Sequence, residues 1–211
     1  MTTQSTAADA HLQPAVAAEY AHLADLLADA SDAQWDTASL CDGWRVREVA
    51  AHLTMAARYP DEEFMAELRR HEFDFTRLSN EVASRDASLP TGELLASLRS
   101  EVMARWTPPG GGYHGALSHV VIHGLDITVP LGAARRSPDE TIRVVLDDLT
   151  AGGVHARFGI AADGRHLQAS DLDWSHGTGP ALRGTAADLA LALSGRELPA
   201  GRLEGEPLPR I

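Results

Sequence analysis

The sequence predicts a mainly α-helical protein, an antiparallel four-helix bundle followed by a small α+β domain. Apolar residues recur at helical spacing through the first two-thirds of the chain, and the connections between these stretches are short. The last third alternates more and contains the turn signal Asp163-Gly164. Because "GAARRSPDE" reads as a linker, the predicted domains are residues 1–137 and 138–211.

The predicted bundle begins with an Ala- and Leu-rich helix from about residue 8 to 30. A second helix starts near residue 46, because apolar residues occupy the i, i+3, i+4 and i+7 positions of a buried face. These residues are Val46, Val49, Ala50 and Leu53. Tyr59-Pro60 kinks or ends this helix, and a charged helix is expected over residues 61–85.

Two further helices complete the predicted bundle. Thr91 is the expected N-cap of a helix that ends near Trp106, where "TPPGGGYH" breaks the pattern. The next helix contains "HVVIHGLD" at 119–126 and stops at Pro130. In the second domain, "ETIRVVLDDL" is predicted to be helical.

The predicted α+β domain also contains a short helix in "GTAADLALALSGR". The spacing of Thr185 and Asp188 predicts a capping box at the start of this helix, and Gly195 predicts its C-terminal end. The sequence therefore predicts both ends of this helix.

Composition excludes several classes of function. The net charge of −12 argues against binding to nucleic acids or to anionic membranes. Neither a membrane-length apolar run nor a secretion signal is present, so a cytoplasmic protein is expected. All 18 cationic side chains are Arg, which removes lysine chemistry from consideration. Because Cys41 is the single cysteine, an internal disulfide is excluded. Its side chain is expected to contribute to packing and not to act as a nucleophile.

Two of the ten histidines have ligand spacing. His119 and His123 are four residues apart, so on a helix their side chains stack about 5–6 Å apart at Cβ. Two imidazoles on one face can bind one metal ion, or they can simply share that face. His52, on the flank of the second helix, is either the third ligand or a half-buried histidine hydrogen-bonded to water. Other histidines lie in polar surroundings without such a partner: His11, His22, His71, His155 and His166.

Three stretches together resemble the mycothiol-dependent maleylpyruvate isomerase family, within the DinB-like helical-bundle superfamily. The first is "W…LCDGWRVREVAAHLT" at 35–54, and the second is "VVIHGLDITVPLG" at 120–132. The third is "ASDLDWSHGTGPALRGTAADLALALSGR" at 169–196. Their order and spacing are those of the family, so the resemblance covers nearly the whole chain.

The resemblance implies a divalent metal, usually zinc, inside the bundle, held by His52, His119 and His123. His119 stands where the isomerase has a glutamate, which leaves the predicted site with three neutral ligands. Asp126 is expected either to orient a ligand imidazole or to form a helix-end hydrogen bond. Arg45 replaces a Thr or Ser cap of the family, and Asp42 is the expected substitute.

The resemblance also implies an enzyme that uses mycothiol as a thiolate nucleophile on a small electrophile. Two outcomes share this first step, cis-trans isomerisation and S-conjugation. Two alternatives remain: a DinB-like metal hydrolase that works without thiol, and a metal-binding module without turnover. The predicted partners are mycothiol and the electrophile, and the chain is expected to be a monomer or a homodimer.

Overall fold

The structure, a computed structural model, describes residues 9–134, 137–151 and 158–210. The chain divides into two compact units, one ending at Ala133 and the other beginning at Ala134. The division into independently folding domains at residues 137/138 stays a prediction. Among the described residues, no helix is both long and apolar enough to cross a membrane.

The first unit is a bundle of helices that follows a short 3-10 turn. Its helices are α1 (Gln13–Ala28), α2 (Asp32–Trp35), α3 (Val46–Leu53), α4 (Met55–Arg58), α5 (Asp61–Arg70), α6 (Phe75–Asp86), α7 (Thr91–Leu98) and α8 (Gly112–Thr128). α3 lies at the centre, where it packs against α6, α7 and α8, and α1 packs against α7 and α8. The predicted fold class, mainly helical with a small α+β part, is confirmed.

The predicted buried face of α3 is confirmed. Val46, Val49, Ala50 and Leu53 are each at most 1% exposed. The helix ends at Thr54, whose hydroxyl donates to the carbonyl oxygen of Ala50 at 2.7 Å. This back-bond competes with the helical ladder, so the chain restarts as α4 after Thr54.

The start of α3 differs from expectation. The backbone N–H of Arg45 donates to the Glu48 carboxylate at 2.8 Å, so the acceptor comes from within the helix. The prediction that Asp42 caps this helix is wrong. An acidic residue three positions into a helix satisfies the N–H of the cap residue directly.

The predicted single helix over residues 61–85 is in fact two, α5 and α6. The chain turns between them, where Glu72 and Phe73 have positive φ angles of 55° and 64°. Asp74 then starts α6 by accepting a hydrogen bond from the backbone N–H of Arg77 at 3.0 Å. An aspartate at the N-cap satisfies a backbone N–H that the first turn of a helix otherwise leaves without a partner.

The helix predicted from Thr91 to about Trp106 is shorter than expected. Thr91 is its first residue, following Pro90, and its side chain makes no capping hydrogen bond. α7 ends at Leu98, and turns follow. Trp106 therefore lies in the connection to α8 and not at a helix end.

The first turn of α8 contacts Asp9, the residue that precedes the short 3-10 turn. The Asp9 carboxylate accepts hydrogen bonds from the backbone N–H groups of Tyr113 and His114, at 2.6 and 3.2 Å. Gly112 has φ of +56°, and a Cβ at this position would lie 2.3 Å from Asp9 Oδ2. The helix ends at Thr128, shortly before Pro130, as predicted.

The second unit combines two helices with a small sheet among its described residues. Its elements are α9 (Asp139–Thr150), β1 (His166–Ala169), β2 (Ser175–His176), β3 (Ala181–Gly184), α10 (Ala186–Leu193) and β4 (Leu203–Gly205). The strand order is β2-β1-β3-β4; β1 and β3 are parallel and the outer pairs are antiparallel. α9 and α10 pack together.

The turn and helix ends predicted in this unit are confirmed where the structure describes them, but only the N-cap half of the predicted capping box forms, because the Asp188 carboxylate accepts from the Thr185 hydroxyl. Asp163-Gly164 forms a turn before β1, and the Thr185 hydroxyl accepts from the backbone N–H of Asp188 at 3.1 Å. Gly195 has φ of +81° just after α10. Residues 155–157, which open the alternating stretch, lie outside the described residues.

Candidate metal centre

The three histidines singled out from the sequence meet inside the first unit. His52 comes from α3, and His119 and His123 come from successive turns of α8. Their ring centroids form a nearly equilateral triangle with sides of 5.1, 4.8 and 4.9 Å. Because α3 packs directly against α8, the one histidine is brought to the other two.

The geometry of these nitrogens suits one shared ion. The Nε2 atoms of His52 and His119 are 3.0 Å apart, and one potential ligand atom from each of the three residues lies within 4.8 Å of the others. Two nitrogens bound to one tetrahedral zinc at about 2.0–2.1 Å stand about 3.3 Å apart. Small side-chain movements would therefore bring the ligand atoms to one ion. His52 is 8% exposed, and the other two rings are partly exposed.

Asp126 contacts one of the three imidazoles. Its Oδ2 lies 2.9 Å from His123 Nδ1, and the residue is fully buried. A carboxylate beside Nδ1 favours the tautomer with the proton on Nδ1, which leaves the lone pair on Nε2. The structure thus brings Asp126 to the position that one of its two predicted roles requires.

Ser79, which the sequence did not single out, supports His52 in a similar way. Its hydroxyl lies 2.9 Å from His52 Nδ1, and the residue is only 6% exposed. It reaches His52 from α6, on the buried stripe that also carries Val82 and Ala83. A serine within an apolar stripe was the available signal. It could not indicate which side chain the hydroxyl would meet.

Cys41 also lies at this centre. Its Sγ is 3.0 Å from Asp126 Oδ2 and 3.6 Å from His123 Nδ1. The preceding backbone N–H, that of Leu40, donates to the Asp126 carbonyl oxygen at 3.1 Å. Cys41 is therefore more than general packing, the role expected from the sequence, because it contacts a residue that supports His123.

Aromatic rings surround the histidines. The ring of Trp44 lies 5.1 Å and that of Phe75 6.4 Å from the His52 ring, centroid to centroid. The ring of Trp106 lies 5.3 Å from that of His119. These three side chains give the centre planar apolar walls.

Within the described part of the chain, groups of three or more potential metal ligands occur only here. One group is the three histidines, and the other is Cys41, His123 and Asp126. His71, which has no partner at ligand spacing in the sequence, is paired with Glu81, whose Oε2 is 2.8 Å from Nε2. His155 lies outside the described residues.

Fold and side chains together define a helical bundle with an interior three-histidine cluster, followed by a small α+β unit. Residues 16–108 match the family profile described as the mycothiol maleylpyruvate isomerase N-terminal domain. This match confirms the predicted resemblance to the mycothiol-dependent maleylpyruvate isomerase family, and with it the prediction of an enzyme. The matched segment includes His52, whereas His119 and His123 lie beyond it.

Solved structures show the same fold over nearly the whole chain. A crystal structure of the mycothiol-dependent maleylpyruvate isomerase is 16% identical with a TM-score of 0.62. A histidine-to-alanine mutant of that isomerase is 15% identical with a TM-score of 0.61. Each alignment covers 95% of this chain and 96% of the other. A search of curated proteins gives no match.

Proposed function

We propose that this chain is a metal-dependent enzyme that uses mycothiol as a thiolate nucleophile on a small electrophile. The observation that carries the proposal is the convergence of His52, His119 and His123 from two helices. Three protein ligands leave coordination positions open, as is typical of catalytic metal sites. The family match over residues 16–108 supports mycothiol as the thiol.

The proposed metal is zinc, because three imidazoles are ligands that zinc accepts readily. Three neutral ligands leave the ion's charge of +2 unreduced, whereas a glutamate in place of His119 would lower the charge of the site to +1. When bound, the ion supplies positive charge beside the thiol sulfur and lowers the thiol pKa, so that thiolate forms at neutral pH.

The chain's own residues hold the ligands in position. Asp126 keeps a proton on His123 Nδ1, and the Ser79 hydroxyl is placed to do the same for His52. Both imidazoles would then have Nε2 available to hold the ion. Orienting partners of this kind set the tautomer and ring angle of metal-bound histidines.

The proposed reaction begins with addition of the thiolate to one carbon of an activated cis double bond. The electron pair moves to the conjugated carbonyl oxygen, so the former double bond becomes single and can rotate. Loss of the thiolate then restores the double bond in trans form. In an S-transferase the carbon–sulfur bond is kept, and the adduct takes up a proton or loses a leaving group.

The aromatic walls support a small planar electrophile. Trp44, Phe75 and Trp106 place their rings beside those of His52 and His119, each tilted by 50–59°. Flat conjugated molecules pack well on such surfaces.

We propose that the site lies in a cytoplasmic protein that acts as a monomer or a homodimer.

The decisive experiment measures turnover of a panel of electrophiles with and without metal and with and without mycothiol. The proposal expects activity only when both are present. Activity with metal alone would instead indicate a hydrolase that uses bound water. Metal binding without turnover of any electrophile would indicate a binding module.

Variants test the same mechanism residue by residue. His52→Ala and His119→Ala should lose nearly all activity, while Cys41→Ala should keep most turnover at saturating metal, because the nucleophile arrives with the cosubstrate. His119→Glu should keep metal and some activity, with a higher apparent pKa of the bound thiol. Loss of turnover in Cys41→Ala with the histidine variants unaffected would overturn the mechanism.

A further inference from the structure

We propose that Cys41 is a positioning residue, which fixes the metal-binding geometry of His123 through the carboxylate of Asp126. The inference rests on the metal site of the proposed function. Its basis is one shared atom: Asp126 Oδ2 is the acceptor for both the Cys41 thiol, at 3.0 Å, and His123 Nδ1, at 2.9 Å.

Asp126 depends on these hydrogen-bond donors because its carboxylate is buried. The residue is fully buried, and a buried carboxylate is costly unless hydrogen bonds stabilise it. The S–H group is a weak donor, but it also limits rotation of the carboxylate because it approaches Oδ2 from a different chain segment. With that rotation limited, Oδ2 stays directed at the imidazole of His123.

The segment that carries Cys41 is itself attached to both ligand-bearing helices. The Leu40 N–H donates to the Asp126 carbonyl oxygen, which anchors the segment on α8. Three residues after Cys41, Trp44 packs its ring against that of His52 on α3. The Ser39 hydroxyl donates to the Trp44 carbonyl oxygen at 2.8 Å and closes the segment into a turn.

If the S–H group of Cys41 acts as this donor, substitutions of Cys41 should change metal affinity in a specific pattern. Cys41→Val keeps most of the side-chain volume and removes the S–H donor, so it separates hydrogen bonding from packing. We expect it to bind Co²⁺ about three- to tenfold more weakly, less than the 10–100-fold typical of a direct partner of a metal ligand. Cys41→Ser restores a donor and should recover affinity to within about twofold of the wild type.

The test is Co²⁺ affinity by chelator competition, together with the visible spectrum of bound Co²⁺, on the full chain. The spectrum reports ligand geometry, and Cys41→Val should alter it while Cys41→Ser should not. Melting without metal checks that each variant is folded. Val102→Ala, at an exposed site, is the control and should match the wild type in both readouts.

Distinct results contradict the inference and the proposed function. If the wild type does not bind Co²⁺, the proposed metal site is wrong, and the role of Cys41 fails with it. If the wild type binds but Cys41→Val has the same affinity and spectrum, the inference alone is wrong. A serine variant as weak as the valine variant would also contradict the role of the donor.

Discussion

The two helices that supply the histidine cluster hold their imidazoles in different ways. On α8, His123 is supported from within its own helix, by a buried carboxylate three residues along. On α3, His52 is supported from another helix, by the neutral hydroxyl of Ser79 on α6. One support is local and charged, and the other is remote and uncharged. We therefore expect the two sides of the centre to respond differently to mutation.

The largest expected effect is the loss of a ligand from either side. His52→Ala and His123→Ala should each abolish stoichiometric zinc binding and remove the rise in melting temperature that zinc produces. Metal that binds only the folded state at 100 times its Kd contributes about 2.7 kcal/mol. Elemental analysis and thermal melting with and without zinc check this. Wild-type zinc content in one variant would remove that histidine from the ligand set.

A smaller effect is expected from Asp126→Asn, which neutralises the local support. The amide oxygen can still accept from His123, but the negative charge is gone, so zinc affinity should fall about 10–100-fold. Chelator competition measures this. Asp188→Asn is a matched control, because Asp188 is a buried carboxylate of the second unit. It should destabilise the protein and leave zinc affinity unchanged.

Ser79→Ala should cost less, because it removes a neutral hydrogen bond. A net value of about 0.5–1.5 kcal/mol per bond corresponds to a loss in zinc affinity of about twofold to twelvefold. Ser194→Ala is the control, since Ser194 is a buried serine of the second unit, hydrogen-bonded to a backbone carbonyl. If Ser79→Ala weakened zinc binding more than Asp126→Asn, the contrast between the two helices would be wrong.

The smallest effect concerns the helix that carries Ser79. The hydrogen bond from His71 to Glu81 on α6 raises the pKa of His71, and the same bond lowers the pKa of Glu81. The raised pKa means that the His71 contribution to stability is lost as pH rises through its folded value. The lowered pKa means that the Glu81 contribution is lost as pH falls through its own. The pair therefore stabilises the protein most between these two values.

An NMR titration of His71 tests this pair. In Glu81→Gln the pKa of His71 should fall towards its ordinary value, and the decline in melting temperature on the alkaline side should flatten. Glu67→Gln serves as control, because Glu67 contacts His71 through its backbone carbonyl and not its carboxylate. An unchanged His71 pKa in Glu81→Gln would show that Glu81 is not the cause.

The contacts on the α8 side of the centre were easier to predict from the sequence than those on the α3 side, and the reason is physical. His119, His123 and Asp126 lie within one helix, so helical geometry alone relates their side chains. Ser79 meets His52 only because α6 packs on α3, and the sequence pattern does not specify which residues of two helices meet. The same limit applies to Cys41, whose contact with Asp126 joins residues 85 apart in the chain.

Helix boundaries were predicted well where a break is marked by Gly or Pro. The start of α8 at the last glycine of "TPPGGG" and the end of α10 before Gly195 are examples, although the helix before "TPPGGG" ends earlier, at Leu98. They were predicted poorly at Thr54 and at residues 71–74, where ordinary residues end a helix through side-chain bonding or positive φ angles. These breaks carry no Gly or Pro signal, so the residue pattern does not mark them.

The contact between Asp9 and the first turn of α8 places a constraint on how this sequence can vary. Any side chain at position 112 would collide with the Asp9 carboxylate, and the positive φ there already favours glycine. We expect relatives that keep the acidic residue at position 9 to keep the glycine at 112 as well. For protein engineering, trimming the chain past Asp9 would release two backbone N–H groups at the head of the helix that holds His119 and His123. We expect the truncated protein to hold His119 and His123 less rigidly, although all three histidines remain.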